Sequence, residues 1–411
     1  MASPEEAAPA LEAITAIAED LLHLNADGEF RDRASLGLGT AGLALFFHYL
    51  EEALPQHFPG AVARLLDETA GVIEAEAMSF GLMQGFAGVG WVTQHLAGRG
   101  DEAGEDPNAE IDEVLLRLLH LPSWAATYDL VMGLVGLGLY ALERLPRPEA
   151  REILEQVVHH LALTAREAGE GITWWTPPEW LPPYLREECP AGHFNAGMAH
   201  GVPGVVALLG AALQAGVAVG RCRELLAGAV PWLLAQELPP ESESRFPSWV
   251  GAGTSISPAR LAWCYGDPGV AAALHLAGRA AGESSWEAQA LRIARAAARR
   301  PLATSLVANA GVCHGTAGLA HIFNRLHQAS GDRELGEAAR SWLRRTLEIR
   351  QPGVGVGGFR HQAPDPERAD GFIWKAPRGF LAGAAGTGLV LLAAVVSSEP
   401  AWDRALLLSC R

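Results

Sequence analysis

The amino-acid sequence predicts an all-α protein whose helices close into a double ring, an α/α toroid with seven inner and seven outer helices. Two observations carry this. A short glycine-led motif followed by an apolar run returns seven times along the 411 residues, and a charged, amphipathic stretch precedes each return. A third consideration closes the ring: joining the two ends leaves no apolar face exposed, whereas an open stack of hairpins needs polar caps.

The elements follow in order. PEEAAPALEAITAIAEDLL from Pro4 places Leu, Ile and Ala at helical spacing among Glu and Asp, and leads to GTAGLALFF from Gly39. GAVARLLDETAGVIEA from Gly60 leads to GFAGVGWVT from Gly85, and NAEIDEVLLRLLHL from Asn108 to GLVGLGLYAL from Gly133. PEAREILEQVVHHLALTAREAG from Pro148 leads to GVPGVVALL from Gly201, and CRELLAGAVPWLLAQEL from Cys222 to GDPGVAAAL from Gly266. SSWEAQALRIARAAARR from Ser284 leads to GTAGLAHIF from Gly315, and RELGEAARSWLRRTLEI from Arg333 to GAAGTGLVLL from Gly383. Polar faces on the first kind imply contact with water, and near absence of charge on the second implies burial on all sides. The glycines are expected to let an inner helix approach its neighbour and to turn the chain cheaply into the helix. One domain over residues 1–411 is expected.

Composition narrows the function. A formal charge of −16 and a pI near 5.3 argue against a nucleic-acid surface, which needs clustered Lys and Arg. The N-terminal stretch lacks the basic region and unbroken apolar run of a signal peptide. No transmembrane segment is expected, since the nearest apolar run, Gly379 to Ser397, carries a turn signal in its first half. The five cysteines are scattered and form no disulfide framework, which fits a reducing compartment.

Chemistry collects just upstream of the glycines. Two residues before the first glycine of each copy stand Gly37, Met83, Val131, Ala199, Cys264, Cys313 and Leu381; one residue before stand Leu38, Gln84, Met132, His200, Tyr265, His314 and Ala382. Thiol and imidazole, the metal-type ligands, appear only in three adjacent copies, and equivalent positions of a closed ring lie at one height. Cys264, Cys313 and His314 therefore form a three-ligand set suited to Zn²⁺ with a fourth position for substrate, the pattern of a catalytic zinc. Cys313 and His314 are neighbours, so both reach one ion only from the irregular turn before the helix. The alternative is two buried cysteines and a core histidine that share the turns without a metal.

The stretches RLAWCYGDPGV (Arg260 to Val270), GVCHGTAGL (Gly311 to Leu319) and NAGMAHGVPGV (Asn195 to Val205) resemble the signature segments of the lanthipeptide cyclases, the LanC family, over essentially the full chain. The resemblance implies a helical double ring with zinc at one end. It also implies addition of peptide cysteine thiols to dehydroalanine or dehydrobutyrine, which forms lanthionine or methyllanthionine thioether rings. It assigns the zinc ligands to Cys264, Cys313 and His314, and catalytic roles to His200 in AHG, Asp129 in YDLVMGLVG, Arg260 and Tyr265. A helix cap is the alternative reading of Asp129, and Tyr265 reads as either a hydrogen-bond donor or a buried aromatic. His193 lies close to the site in sequence and carries no assigned role.

A dehydrated precursor peptide is the implied substrate, with a lanthipeptide dehydratase and a transporter as implied partners. A cytoplasmic location follows, with peripheral membrane association through a biosynthetic complex. The chain length matches a stand-alone cyclase without a dehydratase domain. Three connectors rich in Pro, Gly and Trp, ahead of the fourth, fifth and seventh copies, are expected either to wall the site against the peptide or merely to pack over the barrel mouth. Competing readings are a relative that adds glutathione to dehydroamino acids, a non-catalytic zinc-stabilised peptide-binding toroid, and a glycan-active toroid. The last would need paired carboxylates, for which Asp129 and Asp267 are the candidates.

Overall fold

The computed structural model describes residues 1–23, 33–98, 106–251, 257–365 and 371–409. The helices are α1 (Pro4–His23), α2 (Thr40–Ala53), α3 (Ala61–Ala75), α4 (Phe86–Ala97), α5 (Ala109–Leu119), α6 (Leu134–Arg144), α7 (Pro148–Thr164), the short α8 (Pro183–Glu188), α9 (Val202–Gln214), α10 (Val219–Leu234), α11 (Asp267–Ala281), α12 (Ser284–Arg299), α13 (Thr316–Ser330), α14 (Arg333–Glu348) and α15 (Ala384–Val395). The seven glycine-led segments are α2, α4, α6, α9, α11, α13 and α15. Each of these packs on the next around the circle, and α15 returns to α2.

Each inner helix but the last packs on the outer helix that follows it, as in α2 on α3, α6 on α7, α11 on α12 and α13 on α14. The N-terminal α1 therefore partners not its sequence neighbour α2 but the last inner helix, α15, and also touches α14. The chain start is tied there by the Ala2 N–H donating to the Ala394 carbonyl at 2.9 Å. Amphipathicity explains the sorting: α9 is buried along almost its whole length, whereas α14 buries only a stripe including Leu335, Ala339, Trp342, Leu343 and Thr346.

The turns at the N-terminal ends of the inner helices are stitched into a closed circle of backbone hydrogen bonds. Gly37 N donates to Met83 O at 2.8 Å, Met83 N to Val131 O at 3.0 Å, Leu130 N to Ala199 O at 3.1 Å and Ala199 N to Cys264 O at 3.3 Å. Cys264 N donates to Cys313 O at 3.3 Å, Cys313 N to Leu381 O at 2.8 Å, and Leu381 N back to Gly37 O at 3.1 Å. Apart from Leu130, which stands one residue earlier, these are the residues two before each leading glycine, so the repeat positions do share one height.

The glycines serve both this circle and the close approach of neighbouring inner helices. In each copy the second glycine sits against the carbonyl of its own turn: a Cβ at Gly88 would stand 1.8 Å from Leu82 O, and one at Gly269 2.2 Å from Trp263 O. No side chain fits in that space, and the neighbouring copy is close as well: a Cβ at Gly136 would stand 2.8 Å from Leu82 Cβ and one at Gly386 2.9 Å from Val312 Cγ2. Gly266 adds a conformational demand, with φ of +101°.

The connectors contribute short strands that helical periodicity does not announce. β1 (Arg166–Ala168) pairs with β2 (Gly171–Thr173); β3 (Trp175–Thr176), β4 (His193–Asn195) and β5 (Trp249–Val250) form one small sheet; β6 (His361–Pro364) pairs with β7 (Phe372–Lys375). The middle sheet joins the first two connectors at the mouth of the ring. Residues 252–256 of the second connector and 366–370 of the third, together with Cys410, lie outside the described residues. Past α15 the chain enters the barrel, where Trp402, Asp403, Ala405, Leu406, Leu407 and Leu408 are buried. Leu406 O accepts a hydrogen bond from Trp263 Nε1 at 2.9 Å, immediately before Cys264.

Candidate metal centre

Adjacent turns of the hydrogen-bonded circle bring Cys264 beside Cys313 and His314. One ligand atom from each lies within 4.8 Å of the others, and no other three His, Cys or carboxylate donors gather so closely among the described residues. A tetrahedral zinc with bonds of about 2.0–2.3 Å would hold such atoms about 3.5–3.8 Å apart, so the set fits the ion with little adjustment. Cys264 is buried, and Cys313 and His314 are partly so. His314 reaches the group because Cys313 and His314 precede the helix start at Thr316 and are not held to helical spacing.

The two sulfurs behave as one acid. A hydrogen bond from Cys313, then His314 and the Arg260 charge, hold the Cys264 thiol well below its ordinary range against the opposing effect of burial. That same hydrogen bond and burial push Cys313 well above it. One shared proton is thus lost easily and the second is retained, an arrangement that a dication resolves by replacing the proton.

On the neighbouring turn, His200 Nδ1 meets Asp129 Oδ2 at 2.8 Å, with 40% and 11% of their side chains exposed. Asp129 Oδ1 accepts from the backbone N–H of Met132 at 2.7 Å. The carboxylate therefore caps its own turn and orients the imidazole at once; the two sequence readings of Asp129 are compatible. Burial works against protonation of His200, but the charge and hydrogen bond of Asp129, with Cys264 beyond, raise its pKa.

Tyr265 stands face-on to His200 with ring centres 6.2 Å apart, and its hydroxyl accepts from Asn195 Nδ2 at 3.2 Å. Arg260 is exposed, with its charge felt at both cysteines. A cavity of about 240 Å³ is lined by Asp129, His200, Tyr265, His193, Asn195 and connector residues including Thr176 and Trp180. The first connector thus walls this cavity.

His193 does approach the site: it is fully buried, stacks on Trp249 at 5.6 Å, and has its pKa pushed down to about 4 by burial and then by His200. His361, on β6, packs edge-on against His314 with ring centres 5.1 Å apart. Burial, then His314 and Arg260, push its pKa down to about 4. Nothing in the repeat register points to Asn195 or His361. Cys189 packs among Leu181, Leu185 and Trp249, outside the ligand group. Asp267 is buried and bonded to Ser244 Oγ and to the backbone N–H groups of Arg245 and Phe246, each at 3.0 Å, so it forms no carboxylate pair with Asp129.

The family model for the lanthionine synthetase C-like proteins matches residues 31–407. Among solved structures, nisin cyclase superposes with a TM-score of 0.71 over 93% of this chain and 94% of its own, at 20% identity. That likeness establishes the toroid fold. No curated protein sequence matches.

Proposed function

The chain belongs to the lanthionine synthetase C-like family, and from that premise we propose that it is a zinc-dependent lanthipeptide cyclase acting on a dehydrated precursor peptide. The observation that carries this reading is the convergence of Cys264, Cys313 and His314 within 4.8 Å, one turn along the ring from the His200 and Asp129 pair. When bound by those three residues, Zn²⁺ supplies a Lewis-acidic position that holds a peptide thiol as its thiolate.

The remaining steps belong to the chain's own side chains. A carbon–sulfur bond forms between the peptide sulfur and the β-carbon of dehydroalanine or dehydrobutyrine, and the alkene electrons move onto the neighbouring carbonyl as an enolate. Arg260 places fixed positive charge at the mouth where that oxygen develops. The α-carbon then takes a proton from His200, whose imidazolium form the Asp129 carboxylate favours. Asp129, anchored by Met132, sets the ring orientation, and Tyr265 lies across the His200 face. The net change is addition of S–H across the double bond, so a dehydratase must act first. No described helix is long and apolar enough to cross a membrane; the proposed site of action is the cytoplasm, with membrane attachment only through a biosynthetic assembly that includes a transporter.

The test is mass spectrometry of a dehydrated precursor incubated with the protein, with thiol alkylation counting unreacted cysteines. Wild type is expected to lose alkylatable thiols without change of mass, and Cys264→Ala to leave them. Equal cyclisation by both would overturn the reading, and turnover of free glutathione with no ring formation would replace the peptide substrate by a small thiol.

A further inference from the structure

We propose that Asn195 is a positioning residue for Tyr265: its amide makes the Tyr265 hydroxyl a hydrogen-bond acceptor on the protein side, so that the hydroxyl gives its own proton in a hydrogen bond to the enolate oxygen formed in the thiol addition. This rests on the cyclase reading above and adds to it a residue outside both the metal set and the His200 and Asp129 pair. The turn that follows Asn195 sets the orientation of its amide. Asn195 Oδ1 accepts from the Gly197 N–H at 2.9 Å, so the NH2 group faces the other way. Its two hydrogens have two partners, the Tyr265 hydroxyl at 3.2 Å and His193 Nε2 at 3.3 Å. An amide nitrogen has no lone pair to offer, so in this bond the tyrosine can only receive. His193 is buried and neutral, its pKa pushed down to about 4 by burial and then by His200, so its Nε2 can accept the second hydrogen.

The same turn seats the ring. A Cβ at Gly197 would stand 2.6 Å from Tyr265 Cδ1, so the tyrosine lies against bare backbone there, and Trp249 meets its ring edge-on with centres 6.1 Å apart. Asn195 and Trp249 are partners in register across β4 and β5, so one small sheet fixes both supports of the tyrosine. Asn309 shows that the turn by itself asks for less. Its Oδ1 makes the same bond to the Gly311 N–H at 3.0 Å, but the residue corresponding to Tyr265 in the copy that follows is Ala382, which has no hydroxyl to hold. Asn195, Tyr265 and His200 line one cavity, so a hydroxyl fixed in this way stands where the substrate enters. A hydroxyl that already receives a hydrogen bond donates a stronger one, and a donor oriented before the reaction needs no reorganisation during it.

The experiment is a double-mutant cycle on the full-length, zinc-loaded protein, with cyclisation of a dehydrated precursor peptide as the rate and circular dichroism as the check of folding. Asn195→Ser and Asn195→Asp each keep an oxygen for the Gly197 N–H and remove the amide donor; the second serves should the first fail to fold. Each is combined with Tyr265→Phe. The proposal expects a few-fold fall in kcat for the Asn195 variant, close to that of Tyr265→Phe, with KM within about twofold of wild type. Adding the Asn195 change to Tyr265→Phe should cost nothing further, because the hydroxyl it serves is already gone. A double variant slower by the product of the two single losses would show that Asn195 acts only through its turn and would overturn the proposal, as would an unchanged kcat in either single variant; both leave the cyclase reading standing. Wild type that forms no rings would overturn that reading, and the proposal with it.

Discussion

Three of the histidine–carboxylate pairs among the described residues invite comparison, because their surroundings give the same pair two different uses. At the metal end, His200 and Asp129 stand 2.8 Å apart with 40% of the histidine side chain exposed to a cavity. Deeper in the barrel, His95 meets Glu143 at 2.9 Å and His321 meets Asp403 at 3.0 Å, with side chains at most 4% exposed. There an arginine joins each carboxylate: Arg404 reaches Glu143 at 2.9 Å and Arg325 reaches Asp403 at 2.8 Å. The deep pairs are buried and neutralised, and they pin the C-terminal segment inside the ring. The outer pair is wet on one side and lacks such an arginine among its described partners, so its proton is open to exchange with the cavity. Volume does not separate the two regions. A cavity of about 440 Å³ at the far ends of the inner helices, lined by Trp91, Glu143 and Arg404 among others, is larger than the one at His200, yet its charged groups are already paired.

The contrast breaks most sharply on His200→Ala. Cyclisation is expected to fall about 10²–10⁴-fold for loss of a proton donor while the folded ring persists, as read by product mass and circular dichroism. Asp403→Ala should do the reverse. It leaves His321 without its carboxylate and Arg325 with Glu399 as its remaining acidic partner, and is expected to cost about 3 kcal/mol in denaturant unfolding, with cyclisation per folded molecule little changed. Should Asp403→Ala abolish turnover in folded protein, the deep pairs would not be merely structural.

Asp129→Asn sharpens the electrostatic side, with an expected loss of about 10–100-fold in cyclisation. Its pH signature has a definite sign. The folded-state pKa of His200 is raised, so the pair's stabilising contribution is complete below the unfolded value of about 6.5 and fades as pH rises through the folded value. Melting temperature against pH should show this slope in wild type, and Asp129→Asn should remove it. The smallest effect is expected for Tyr265→Phe, a few-fold change in rate with the stacked ring retained. A loss as large as that of His200→Ala would make the hydroxyl a principal participant.

These regions also differ in how far the sequence reveals them. The ring is legible because its glycines answer a local demand, as at Gly88 against Leu82 O, and that demand repeats in register. The grouping of Cys264, Cys313 and His314 is legible for the same reason: equivalent positions are joined by backbone hydrogen bonds such as Cys264 N to Cys313 O. What the repeat does not govern stays hidden. His361 and Asn195 reach the centre from connectors, held by strands of three or four residues too short to leave a periodic signal. Nothing local marks Asp403 as the buried partner of His321, or α1 as the partner of α15, because both pairings join residues far apart in sequence.

Metal analysis of the purified protein bears most directly on the account, because the roles proposed for His200 and Arg260 are organised around one ion. Wild type should carry close to one zinc per chain, and Cys264→Ala and Cys313→Ala should each lose it under the same dialysis, while His95→Ala retains it. Wild type free of zinc under conditions where it cyclises its peptide, or equal zinc content in wild type and Cys264→Ala, would contradict the metal centre.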